Sequence, residues 1–150
     1  ARDAAWWIAA ALAGTALLLD GVDGWVARRR RAASAFGARF DMEVDALAAL
    51  VLSCVLWQAG KAGPWILLIG ALRYLFVLAG WAFDALRRPL PPSQRRRAVC
   101  ALQGALLVAC FIPLWPVAVP PVLAALALAL TSLSFLIDMA WLIRRRPGAL

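Results

Sequence analysis

Five of the chain's eight acidic residues, Asp20, Asp23, Asp41, Glu43 and Asp45, fall where one apolar run ends and the next begins. Carboxylates in that position are costly unless they are paired or ligate something. On a helix, Asp20, Asp23, Gly24, Ala27 and Arg28 share one face, and Gly37, Asp41 and Asp45 share another. The intervening residues 29–36 read as a short turn, which makes the two helices antiparallel neighbours and brings four carboxylates to one end of the apolar layer. Four like charges so close cannot all ionise unaided. The chain has no histidine, and oxygen-only ligands select a hard cation, Mg²⁺ or Mn²⁺. Gly24, Ala27 and Gly37 leave room on the same stripes for a flat or bulky ligand, and Arg28 offers a planar fork to a phosphate. A cation, a phosphate clamp and a small-residue slot together describe a nucleotide-diphosphate site. Glu43 lies off both stripes and reads as a surface residue.

The elements that must position these groups follow from composition. The chain has 150 residues, 65% of them hydrophobic, and a formal charge of +8; its mean hydropathy is +0.81 and its pI about 11.2. Such a chain is too apolar for an ordinary soluble domain. A nucleic-acid partner is excluded because the arginines come in short clusters between apolar runs, not over a polar face. The lack of histidine excludes Ser-His-Asp and HExxH chemistry, and Cys54, Cys100 and Cys110 form no CxxC pair and lie in apolar stretches, as small membrane-helix residues.

Five apolar runs, residues 4–19, 46–60, 63–83, 98–119 and 122–143, approach the ~20 residues that cross a bilayer; the second is long enough if its helix starts near Phe36. They show no two-residue alternation, so helices are expected. The reading is an all-α polytopic transmembrane bundle of five helices in a single domain, residues 1–150, with Pro113 and Pro116 loosening the end of the fourth. Arginines 28–31 and 39, then 87, 88 and 95–97, then 144–146 fall in alternate connections, whereas the other side carries only Arg2 and Lys61. The positive-inside rule puts the Arg-rich side, the motif and Leu150 in the cytoplasm and Ala1 outside. A start at Ala1 rather than Met reads as an N-terminus that is processed, cut or incompletely represented.

Written out, the segment DGVDGWVARRRRAASAFGARFDMEVD resembles the signature of the CDP-alcohol phosphotransferases, D-x-x-D-G-x-x-A-R, eight residues, G-x-x-x-D-x-x-x-D. All eight defining positions match: Asp20, Asp23, Gly24, Ala27, Arg28, Gly37, Asp41 and Asp45. The resemblance implies six transmembrane helices, usually in a homodimer, with two divalent cations at the motif. It implies transfer of the phosphoalcohol part of a CDP-alcohol to a hydroxyl acceptor with release of CMP. By that likeness Asp20, Asp23, Asp41 and Asp45 would ligate metal, and Asp45 would also deprotonate the acceptor. Gly24, Arg28 and Ser34 match positions that contact the CDP-alcohol, with Ala27 and Gly37 beside them. The family's additional helix would precede Ala1 and would put the N-terminus in the cytoplasm.

Other charges are read against this site. Arg73 lies within the third run, where an arginine needs a partner or a polar cavity; Asp84, a motif aspartate and an acceptor phosphate are equal alternatives. Arg95 and Arg97 open the fourth run, where similar proteins place basic residues near the acceptor. Asp138 is expected to pair across the bundle or with Arg144. The arginines at 29–31 and 144–146 read as headgroup anchors. The expectation is an integral membrane enzyme of phospholipid synthesis, in a bacterial inner membrane, using CDP-diacylglycerol and a polar alcohol. A cation or solute transporter is the first competitor, but its acids should lie near the bilayer midplane. A non-catalytic subunit of the same fold is the second, and it predicts loss of a motif residue.

Overall fold

The computed structural model describes residues 2–29, 35–83 and 93–144, and within these the side chains of residues 2, 3, 25, 27–29, 35, 36, 38, 39 and 41 stand outside the described set. The described residues form helices α1 (Arg2–Arg29), α2 (Ala35–Gln58), α3 (Leu68–Ala82), α4 (Gln94–Ala109) and α5 (Val119–Arg144), with a 3₁₀ turn, Pro64–Leu67, leading into α3. The all-α bundle of five helices is therefore what forms. Three segments among the described residues, Ala4–Gly24, Pro64–Ala82 and Val119–Arg144, are long and apolar enough to cross a membrane.

The helix boundaries follow local chemistry. α2 ends at Gln58, and Gly60 just past it has a φ of 69°, which suits a residue without Cβ. The Gly60 amide donates to the Trp57 carbonyl (2.9 Å) and the Lys61 amide to that of Leu56 (3.0 Å), the paired bonds of a Schellman end. α4 has 16 residues and stops at Ala109, well before residue 119. Pro113 has no amide to return to Ala109 and disfavours helical geometry in the residue before it, so the run breaks into turns. Pro120 and Pro121 then sit in the first turn of α5, where amides have no helical partner and proline costs little.

The pairs α1–α4, α2–α3 and α4–α5 run antiparallel. Leu17 of α1 packs at Gly104 of α4 and Gly14 at Val108, while Gly70 of α3 packs on the Leu50 backbone of α2. On α5, the Thr131 hydroxyl donates to Gln103 Oε1 of α4 at 2.6 Å. These registers gather the end of α1, the start of α2, the end of α3, the start of α4 and the end of α5 at one end of the bundle. That end carries the sequence motif.

The apolar core lies towards the opposite end, where Leu56, Ile66, Leu107, Phe111 and Ala124 are buried together. Trp6 of α1 packs on Phe111 with ring centroids 6.0 Å apart. Lys61, aimed by the α2 end, donates from Nζ to the carbonyls of Cys110 (2.8 Å) and Phe111 (3.1 Å), which the end of α4 leaves without helical partners. Its ammonium also lies 4.7 Å from the Trp6 ring centroid, and burial lowers its pKa from the usual lysine value. One side chain thus fastens α1, α2 and α4.

The closeness of the α2–α3 crossing is testable. A Cβ at Gly70 would lie 2.5 Å from Leu50 Cα, whereas one at Gly104 would meet only the Leu17 Cδ1 methyl, at 2.8 Å. Gly70→Ala therefore loses about 1–3 kcal/mol, the usual range for overpacking. Gly104→Ala stays near neutral, because a leucine tip can swing aside and alanine favours helix by about 1 kcal/mol. Thermal unfolding of both variants in detergent checks this; equal losses would contradict it.

Candidate functional site

α1 continues without a break through the motif to Arg29, and α2 is already helical at Gly37, so both signature segments lie on helices as their spacing requires. Asp20 and Asp23 are exposed, Gly24 and Asp45 are half-buried and Gly37 is exposed. Ser34 and the side chains of Ala27, Arg28 and Asp41 lie outside the described residues. Among the described residues α1 packs on α4, which also touches α2, and α1 and α2 make no direct packing contact. The motif stripes thus share an end, but among the described residues α1 rests on α4 where direct contact with α2 was expected. Among the described residues no three His, Cys, Asp or Glu side chains form a potential metal cluster, a set that leaves out the Asp41 carboxylate.

The register of Leu17 on Gly104 and Gly14 on Val108 extends towards the motif end. Carried on, it sets residues 20–24 of α1 level with residues 97–101 of α4. The first turn of α4, residues 94–97, therefore stands level with residues 24–27, just beyond the first two motif aspartates. That turn holds Arg95, Arg96 and Arg97, with no acidic residue and no side-chain cap from Ser93. Cations at the positive end of a helix dipole are unfavourable.

Asp138 of α5 supplies the compensation. It is buried, accepts from Arg95 Nη2, and lies 3.8 Å from Arg96 Nη1. Arg95 Nη1 also donates to the Ser134 carbonyl and hydroxyl, each at 3.2 Å. Asp138 therefore pairs across the bundle, one of its two expected arrangements. Arg95 reaches solvent only in part, with a side-chain exposure of 35%, while Arg97 is exposed.

Arg73 has a partner that sequence reasoning missed. Its Nη2 donates to Glu43 Oε1 at 2.6 Å, and Asp84 lies outside the described residues. At about 100° per residue, Glu43 stands about 200° round α2 from both Asp41 and Asp45. The guanidinium thus packs against the side of α2 away from the motif stripe. A signal was present: an acid off the stripe, and an arginine within the apolar run that follows one hairpin later.

Comparison with known proteins gives one match. A family model described as CDP-alcohol phosphatidyltransferase matches residues 1–136, a span that contains the signature and four of the five helices entire. Neither the curated proteins nor the solved structures compared with the chain returned a match.

The α4–α5 tie yields a prediction. Asp138→Ala removes the carboxylate that Arg95 and Arg96 share and should cost about 1–3 kcal/mol, below the fully buried range because both arginines reach solvent. Arg95→Met added to Asp138→Ala should cost less than the two single losses combined, since the sites are coupled. Unfolding of the two single variants and the double variant measures this, and additive losses would contradict the pairing.

Proposed function

The chain belongs to the CDP-alcohol phosphatidyltransferase family, and from that premise we propose that it moves a phosphatidyl group from CDP-diacylglycerol to the hydroxyl of a polar alcohol and releases CMP. The observation that carries this reading is the complete signature, Asp20 to Asp45, on two helices whose motif segments share one end of an apolar bundle. A degenerate relative would have lost a motif position. A transporter would place its acids at mid-depth, whereas Asp23 and Asp20 stand about one and a half to two and a half turns from the end of α1.

The donor set fits a hard divalent cation, since both stripes offer carboxylate oxygen without imidazole or thiolate. Asp20, Asp23, Asp41 and Asp45 would hold Mg²⁺ or Mn²⁺, in two ions by family likeness. Bound there, the cations would neutralise the diphosphate and the departing CMP.

Asp45, half-buried and one turn beyond Asp41, takes the proton of the acceptor hydroxyl. The acceptor oxygen then bonds to the β-phosphorus, and the bond from that phosphorus to the bridging oxygen breaks, leaving the oxygen on CMP. Gly24, Ala27 and Gly37 give the nucleotide room, and Arg28 and Ser34 bind its phosphates. Arg97, exposed at the start of α4, and Arg95 beside it would draw an acceptor that carries phosphate. Arg73, held on the other side of α2, contributes charge balance in place of direct contact.

The diacyl chains of the donor stay among apolar side chains while its cytidine reaches the water side. The positive-inside rule makes that side the cytoplasm. A homodimer is part of the same reading, by family likeness.

Purified chain in detergent, given CDP-diacylglycerol and a panel of polar alcohols, should release CMP with at least one of them. Excess EDTA should abolish release, and full activity in EDTA would refute the cation. Asp45→Asn should lower turnover by at least ~10²-fold, the loss expected for a general base. Its donor affinity should fall less than that of Asp20→Asn, and equal falls would refute the separate role of Asp45.

A further inference from the structure

α2 carries the last two motif aspartates on its first three turns. Among the described side chains of α2, the buried ones, Ala46, Ala49, Ser53 and Leu56, follow Asp45, whereas Phe40, Met42, Val44 and Leu47 are exposed. Among the described side chains, burial thus holds α2 beyond the motif. Within the motif turn, the ion pair of Glu43 with Arg73 of α3 is a cross-tie to the bundle. Arg73 Nε is buried without a hydrogen-bond partner among the described residues, so the carboxylate of Glu43 is what holds that guanidinium in place.

Rotation matters here because the ligands are short. A carboxylate stands about 5–6 Å from the helix axis, so a turn of about 20° moves it by about 2 Å. Metal–oxygen distances tolerate only about 0.2 Å. Glu43 lies between Asp41 and Asp45 in the chain and about 200° from each. Drawing Glu43 onto α3 therefore turns both aspartates towards the opposite side.

We propose that Glu43 is a positioning residue, which with Arg73 fixes the rotation of the α2 motif turn and so aims Asp41 and Asp45 at the divalent cation. The proposal rests on the reading of the four aspartates as a cation site. Neither member of the pair touches the cation or the substrate.

The test is Mn²⁺ binding to the purified full chain, followed by titration calorimetry, with thermal unfolding as a check on folding. Charge alone predicts opposite effects: Glu43→Gln removes a negative charge and weakens binding, whereas Arg73→Gln removes a positive one and tightens it. Positioning predicts that both weaken binding by about tenfold, the lower end for lost outer support of metal ligands. The exchange of Glu43→Arg with Arg73→Glu should bring affinity back towards the parent's. Tighter binding by Arg73→Gln, or parental binding by both folded single variants, would overturn the proposal while leaving the cation site intact. If a single variant fails to fold, Glu43→Asp, which shortens the arm by one methylene, takes its place, and parental binding there would overturn the proposal equally. A parent chain that takes up no Mn²⁺ would remove the cation reading and the proposal with it.

Discussion

A charge within an apolar bundle must be compensated where it stands, because neither lipid nor core supplies the solvation it has lost. The described pairings follow that constraint. Arg73 meets Glu43, Arg95 and Arg96 meet Asp138, and Lys61 meets the carbonyls that α4 leaves open. The first two pairings lie at the end where antiparallel registers collect the signature aspartates. The charges that hold the helices and those that would handle a diphosphate thus share one end.

The opposite half of the bundle does different work. Leu56, Ile66, Leu107 and Phe111 are buried there, and α2 crosses α3 closely because Gly70 presents no Cβ to the Leu50 backbone. Lys61 reaches the end of α4 from a Schellman turn, so the way α2 terminates helps to hold α1. The apolar core lies at this end, and the described ion pairs lie at the other.

Much of this was legible in the sequence. Apolar runs predicted five helices, and the spacing of Asp20, Asp23, Asp41 and Asp45 placed them on helical stripes at the edge of the apolar layer, because both signals are periodic and local. Three features were not legible. α4 is shorter than its apolar run because Pro113 outweighs hydrophobicity, and a hydropathy window does not register a missing amide. Among the described residues α1 leans on α4, since the small residues Gly14 and Gly104 permit that approach and a short turn does not by itself make α1 and α2 touch. The partner of Arg73 depended on the rotation of α2 about its axis, which a stripe drawn through the aspartates leaves open on its far side.

The central claim is that four aspartates from α1 and α2 converge on divalent cations. The most direct measurement is anomalous diffraction from crystals of the chain grown with Mn²⁺ and CMP. The account predicts manganese density between α1 and α2, with oxygens of Asp20, Asp23, Asp41 and Asp45 at coordination distance, about 2.0–2.2 Å by analogy with Mg²⁺. Aspartates turned apart or neutralised by neighbouring arginines, with no manganese between them, would contradict it.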